Sequence, residues 1–397
     1  MTAFELDVLL WPACVIFLLS LVVSLKVTKM PAMSIFVAFI KSGAFLIYFG
    51  LLFDGTFTFL DDWSYLKGGK TLLDESVSLF NMVDNWGLIQ RIGGGNHVLY
   101  YLYNTYAFKI FGVGYFAPVA SNIILTIFIA YFGSRLAIKE FGFSIRQGKW
   151  FYLFLLFQPD IFAWSNVMNG KDVLVLLLHC FLLQVVAWIF RRQLFLAILV
   201  GVPAIMALFF LRFYIPVLFA MAFILAVVFR KDKNVVSYIF YLMIGAMFCG
   251  MMFLWVGQAG FQYVFNRISE QFVNPFYGFV RMLLTPIPFH TEPAYAFLNI
   301  PALFHWLLIP FAILGLNNLI KQQGLFIRFF LIYIFVFIGL YSVYGELQGP
   351  RHRVQLEYAF AILKFIGFIT FVKNIRFSLR NRRYDDLCQS FLLGVIR

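Results

Sequence analysis

Long apolar runs separated by short polar connectors make up almost the whole chain. Runs such as Val15-Ile16-Phe17-Leu18-Leu19 and Val173-Leu174-Val175-Leu176-Leu177 are continuous rather than alternating, which predicts helices and excludes the period-two strands of a β-barrel. A helix needs about 20 apolar residues to cross a bilayer. On that length the runs place spans near 8–26, 32–53, 115–137, 150–165, 172–190, 194–211, 213–229, 235–257, 303–320, 326–344 and 355–372. The expectation is an all-α, polytopic transmembrane bundle of about 11 spans. The segment 98–113 is short and rich in Tyr, with Asn104 and Lys109, so it reads as an amphipathic helix lying in the outer headgroup plane.

Composition agrees with that pattern: 62% of the residues are hydrophobic, 12% are charged, Phe alone contributes 53, and the mean hydropathy is +0.88. A soluble domain of this length needs far less apolar surface. The first run, Val8 to Leu25, follows Glu5 and Asp7 rather than a basic segment and has no small-residue cleavage pattern, so it reads as a retained helix. Cys14, Cys180, Cys249 and Cys388 are too scattered for a metal site or a disulfide framework.

In a soluble protein the net charge of +13 would suggest nucleic acid. Here Lys and Arg gather in short connectors: Lys26/Lys29, Arg135 to Lys149, Arg191/Arg192, Arg230 to Lys233, Lys321 and the tail from Lys373 through Arg383. The positive-inside rule makes these connectors cytoplasmic, in what reads as a bacterial plasma membrane, with the N-terminus outside, the C-terminus inside and no nucleic-acid partner. The tail is expected to rest on anionic headgroups of the membrane lipids.

The opposite face then carries 54–97, the 166–171 turn, the turn at Arg212, the 258–302 stretch and 345–354. These hold Asp61, Asp62, Arg91, His97, Lys171, Asp172, Arg212, Arg267, Glu270, Arg281, His290, Glu292, Glu346, Arg351, His352 and Arg353. No repeat or linker separates a soluble domain, so the chain reads as one membrane domain. Its parts are a first outer loop (54–114), a long outer loop (258–302) and a basic tail (373–397).

Paired carboxylates at the lip of a span are costly unless they meet water, a cation or a substrate. Asp61-Asp62, with Tyr65 one turn on, suits a general base for a hydroxyl nucleophile or a divalent-cation ligand; the plainer reading is a helix N-cap. Gly349-Pro350-Arg351-His352-Arg353 places basic residues against the positive-inside trend and so calls for an anionic partner. Arg212, between Leu208–Leu211 and Phe213–Pro216, either binds an anionic donor or snorkels to the headgroups. The Pro-punctuated stretch 279–290 reads as an outer lid, a lipid-tail groove or an interfacial loop, with His290 and Glu292 as binding candidates. His179 and His305 read as packing residues, and Lys364 either pairs with Glu357 or snorkels. Ile92-Gly93-Gly94-Gly95-Asn96 lacks the strand and helix of a phosphate loop and reads as a hinge; neither zinc spacing nor a serine elbow is present.

The run Asp61-Asp62-Trp63-Ser64-Tyr65-Leu66, followed by Asn96-His97-Val98-Leu99-Tyr100-Tyr101-Leu102-Tyr103 and Phe108-Lys109-Ile110-Phe111-Gly112, resembles the first outer loop of the GT-C superfamily of polytopic membrane glycosyltransferases, the group of the protein mannosyltransferases and aminoarabinose transferases. The likeness continues through Phe157-Gln158-Pro159-Asp160 to Lys171-Asp172 and ends near residue 190. The two prolines that usually follow the histidine are replaced by Val98-Leu99. The resemblance implies a sugar donor on a polyprenyl phosphate or diphosphate, a glycan or lipid acceptor on the non-cytoplasmic face, and transfer with inversion. Asp61 or Asp62 would be the base, His97 would lie near that acid or the donor phosphate, and Lys171, Arg212, Arg281, Arg351 and Arg353 are the candidates to face the phosphate. A divalent cation is an option, with Asp61 and Asp62 as its ligands. Two other readings use the same residues: a polymerase or ligase of lipid-linked glycans working through outer Arg and His, and a transporter or flippase of lipid-linked sugars.

Overall fold

The computed structural model describes residues 3–93, 97–229 and 269–375, with isolated positions between 239 and 266. Most of the expected 235–257 span lies outside the described residues, as do Arg267, Gly94 to Asn96 and the tail beyond residue 375. Among the described residues there is no β-strand, only one isolated antiparallel bridge between Phe272 and Tyr344.

Two helices, α1 (Leu6–Thr28) and α2 (Pro31–Ile47, continued by a π turn over Tyr48–Leu52), form the first hairpin. Their exterior residues, such as Val22 and Phe39, are exposed, while Leu9, Ile16, Phe45 and Phe49 are buried; the exposed apolar side is what lipid would cover. Next come α3 (Asp61–Asp74), α4 (Trp86–Gly93) and α5 (Val98–Phe111), and then the long α6 (Phe116–Glu140). Phe108, Phe111 and Phe116 pack with Phe45, Phe49 and Phe53, which seats this first-loop layer on the ends of α1 and α2.

The expected 150–165 span is two helices, α7 (Ile145–Leu156) and α8 (Pro159–Val167). Pro159 lacks an N–H and disfavours helical backbone at the residue before it, so the chain breaks at Phe157-Gln158. The Gln158 side chain then accepts from the Ile161 N–H at 2.7 Å and restarts the helix. There follow α9 (Asp172–Phe190), α10 (Leu194–Arg212) and the shorter α11 (Tyr214–Val228). The last described layer is α12 (Pro275–Leu284), α13 (Asn299–Ile320, preceded by a 3₁₀ turn over Pro293–Leu298), α14 (Leu325–Val343), the short α15 (Pro350–Val354) and α16 (Glu357–Ile375).

Eight of the described helices are long and apolar enough to cross a membrane, and this is an integral membrane protein. They answer to eight of the expected spans; 213–229 is a helix of 15 residues and 150–165 is the broken pair. The α5 helix differs from its expectation. Tyr100, Tyr101, Asn104 and Thr105 are buried, so it packs within the protein instead of lying open among headgroups.

Two close approaches set the geometry. On α3, Gly68 and Gly69 let α5 come so near that a Cβ on Gly69 would lie 2.6 Å from Asn104 Cβ. Between α13 and α16, a Cβ on Gly367 would fall 1.8 Å from the Phe311 carbonyl oxygen and one on Gly315 1.9 Å from that of Leu363. Small residues at facing positions are how membrane helices bring their backbones together.

Candidate functional site: an arginine held between two carboxylates

Four helix ends meet at one end of the bundle. Asp61 opens α3, Asp172 opens α9, Arg212 closes α10, and Arg351 stands in α15 ahead of the last long helix. Arg351 joins them. Its Nε donates to Asp172 Oδ2 at 2.9 Å and its Nη1 donates to Asp61 Oδ2 at 2.9 Å. Asp172 is fully enclosed and also accepts from Gln355 Nε2 at 2.6 Å, with Arg212 Nη2 at 3.5 Å from the same Oδ1. Gln355 is in turn held by the Tyr341 hydroxyl, 3.2 Å from its Oε1.

Asp61 and Asp62, adjacent in sequence, point to different places. The Asp61 carboxylate is 53% exposed beside the Arg351 guanidinium. Asp62 is buried, accepting from Thr58 Oγ1 at 2.8 Å and from the Tyr115 hydroxyl at 2.7 Å. Neither is the N-cap, which is Leu60, an exposed leucine at φ 64°. That strained backbone sets the start of α3 and thereby which acid faces Arg351. The Asp62 backbone carbonyl accepts from Asn169 Nδ2 at 3.0 Å. Asn169 also receives the Tyr100 hydroxyl at 2.9 Å, and its own N–H donates to the Tyr115 oxygen at 3.1 Å. This network fastens α3 and α5 to the loop that carries Lys171.

Lys171 is buried and donates to the Tyr65 hydroxyl at 2.7 Å, with its ammonium 5.3 Å from that ring's centre. Burial first, then the neighbouring Arg212 and Arg351, hold its pKa well below the usual lysine value. Tyr65 shifts upward, chiefly through burial. His97 stands edge-on to Tyr65, with its Nδ1–H donating to the Leu211 carbonyl at 3.0 Å. Its pKa falls to about 3 through burial and then through Lys171 and Arg212, so the ring is neutral. His352 is buried against Tyr341 with both ring nitrogens unpartnered, and burial followed by Arg212 also lowers its pKa far below the ordinary range. Arg351 shifts upward: Asp172, Tyr65 and Asp61 outweigh the opposing effect of burial.

Other residues singled out from the sequence lie elsewhere. Arg91 is exposed and donates to the Gly87 carbonyl of its own helix at 3.3 Å. Arg281 and His290 are exposed on and after α12, and the nearest partner of His290 Nδ1 is the Pro288 oxygen at 3.4 Å. Arg353, two residues from Arg351, turns into a second, wholly buried cluster. It bonds the Leu283 carbonyl at 3.2 Å and the Thr285 carbonyl, and approaches Asp160 Oδ1 at 3.4 Å.

That cluster contains Asp160, His305, Glu357 and Lys364. Lys364 Nζ lies 2.5 Å from Glu357 Oε1 and 3.2 Å from His305 Nδ1. His305 Nε2–H donates to the Leu283 carbonyl at 3.0 Å, which leaves Nδ1 as the acceptor for the ammonium. Asp160, His305 and Glu357 have ligand atoms within 4.8 Å of one another, yet Lys364 already supplies a cation there, and Arg353 balances the second carboxylate. His305, expected as a packing residue, is thus a member of a charge network. Asp61 and Asp62 fit a shared metal ion poorly, because one carboxylate is bonded to Arg351 and the other to Thr58 and Tyr115.

Gln355, Tyr341, Asn169 and Tyr115 were not found from the sequence. Neutral amides and tyrosines in an aromatic-rich chain carry no signal of their own; only Asn169 lies in a segment that stands out, the polar 166–171 turn between two apolar runs. Compared with family models, with curated proteins and with solved structures, the chain matches none.

Proposed function

We propose that this protein is a membrane glycosyltransferase that moves a sugar from a polyprenyl-phosphate or polyprenyl-diphosphate donor to a hydroxyl of a glycan or lipid acceptor on the non-cytoplasmic face. The observation that carries the reading is the Asp61–Arg351–Asp172 bridge with Lys171 and Arg212 beside it. An accessible carboxylate lies against a guanidinium that a buried second carboxylate fixes in place.

The roles follow from charge. The acceptor oxygen attacks the anomeric carbon, its proton passes to Asp61, and the bond from that carbon to the phosphate oxygen breaks with its electron pair going to phosphate. The anomeric configuration inverts. A carboxylate positioned on the attacking hydroxyl contributes roughly 10²–10⁴-fold. Arg351, Arg212 and Lys171 offer donors where negative charge develops on the phosphate. Asp172, enclosed and bonded to Arg351, Arg212 and Gln355, has no room for the acceptor and acts by holding Arg351. His352, with two unpartnered ring nitrogens beside Arg212, offers a further N–H donor to the phosphate oxygens. A polymerase or ligase working through Arg281, His290, Arg351, His352 and Arg353 finds only Arg351 and His352 at this site, since Arg281 and His290 are exposed on and after α12 and Arg353 turns into the buried cluster.

The test is Asp61→Asn and Asp62→Asn, each made singly and assayed for glycan product in membranes at matched protein levels. Asp61→Asn is expected to lose about 10²-fold or more of the transfer rate. Asp62→Asn keeps the chemistry and loses about 1 kcal/mol of stability through its weakened bonds to Thr58 and Tyr115. Wild-type transfer by Asp61→Asn contradicts the assignment.

A further inference from the structure

The α3 helix has a second face that the proposed reaction does not use. Trp63, Leu66, Lys67 and Lys70 recur at i, i+3, i+4 and i+7, which puts them on one side of the helix, while Tyr65 is buried toward Lys171. Together with Phe108, Val113 and Gly114 they line an open cavity of about 400 Å³. This is large enough for a small ligand or a lipid headgroup with its first methylenes.

Three features define what fits there. The floor is apolar and aromatic: Trp63, Leu66, Phe108 and Val113. The rim carries two exposed ammonium groups, no carboxylate lines the cavity, and among the described residues neither Lys67 nor Lys70 has an acidic partner. The cavity also sits at a boundary level of the bundle. Trp11 Nε1, near the start of α1, donates to the Ile110 carbonyl at 2.9 Å, so the end of α5 and the Val113 loop lie beside the first turns of a spanning helix. Ile110 and Val113 are 55% and 54% exposed there, apolar surface that lipid rather than water would cover.

We propose that this cavity is a binding site for an anionic phospholipid, separate from the Asp61–Arg351 centre. Lys67 and Lys70 hold the phosphoryl group, and the first acyl methylenes lie over Trp63, Leu66 and Phe108. Lysine stems spread over apolar surface while their charged ends meet the phosphate, the arrangement such side chains adopt at membrane interfaces. An inorganic phosphate ion would use the two ammonium groups and leave the apolar floor bare, which is why the structure favours a lipid.

Trp63 reports on its own cavity. The full-length protein is reconstituted in vesicles containing phosphatidylglycerol or phosphatidylcholine brominated near the glycerol end of the acyl chain. Subtracting the emission of Trp63→Phe from that of the wild type isolates the Trp63 signal. The site predicts that brominated phosphatidylglycerol quenches Trp63 at least twofold more than brominated phosphatidylcholine at equal mole fraction, and that Lys67→Gln/Lys70→Gln brings the two to the same level. The charge-matched control Arg135→Gln/Arg146→Gln, at the other end of α6 and on α7, keeps the difference. Equal quenching by the two lipids in the wild type, or an unchanged preference in the lysine variant, overturns the proposal. So does loss of the preference on adding inorganic phosphate but not chloride of equal ionic strength, because that assigns the lysines to a free ion.

Discussion

Arg351 is the residue on which the site turns, because one guanidinium bonds both Asp61 and Asp172 at 2.9 Å. Its importance was legible from its position, a basic residue on the face that the positive-inside rule leaves poor in lysine and arginine. Asp61 was legible from the scarcity of acids, but its distinction from Asp62 was not. Neighbours on a helix point about 100° apart, so the face each acid takes depends on where α3 begins and on how Gly68 and Gly69 seat it against α5. Gln355 was invisible for a simpler reason: a lone amide beside an apolar run carries no charge signal. His97 leads to a pH prediction. Its folded pKa of about 3 lies below the ordinary 6.5, so between those values the unfolded chain binds the proton and the folded one does not. Stability therefore falls as pH drops through 6.5 toward 3 and is unaffected by this group above that window. His352 acts in the same direction. Thermal unfolding in detergent from pH 8 to pH 5 is expected to show a declining midpoint for the wild type and a shallower decline for His97→Gln; identical slopes would remove His97 from this role.

Among the elements, the long helices were readable because their apolar runs match the thickness of a bilayer. Two elements were not. The Pro159 break was visible as a residue, yet the apolar count across 150–165 masked it, and the break is what turns Asp160 into the bundle beside Arg353 and Glu357. The tyrosines of α5 look like an interfacial belt. In the fold Tyr100 and Tyr103 spend their hydroxyls on Asn169 and Asn122, each at 2.9 Å, so the polar face points inward. The α13–α16 contact yields a direct test of packing. Gly367→Ala sets a methyl against the Phe311 backbone, which cannot rotate away as a side chain would, and the helices must part at a cost of about 1–3 kcal/mol or more. Gly43→Ala, where a Cβ meets nothing within 4 Å, is the matched control and is expected to be neutral or slightly stabilising. Unfolding midpoints in detergent check the pair; equal stability of Gly367→Ala and wild type would contradict the contact.

Across the whole molecule, two clusters of charged side chains stand out among the described residues. The buried cluster of Asp160, His305, Glu357, Lys364 and Arg353 carries its own counter-charges and joins α8, α13 and α16. Two residues before Arg353, Arg351 faces the half-open site, so the strand of chain that bears the site arginine is anchored by an internal ion network. Charged groups buried within a membrane bundle are costly unless paired, and in this cluster Lys364 lies against Glu357 and Arg353 against Asp160. The Asp61–Arg351 site thus sets an accessible carboxylate beside Arg351, Arg212 and Lys171, the arrangement on which the proposed transfer from a lipid-linked donor rests. The most direct measurement is a pulse and chase in membranes. Cells producing wild type, Asp61→Asn or Arg351→Lys are pulsed with a tritiated monosaccharide, and the label is followed from the solvent-extractable lipid-linked pool into glycan. Arg351→Lys keeps the charge but cannot span both carboxylates. Label is expected to leave the lipid pool for glycan in the wild type and to stay lipid-linked in both variants. Transfer at the wild-type rate in either variant, or wild-type label that crosses the membrane still lipid-linked and is never transferred, would contradict the proposed transfer.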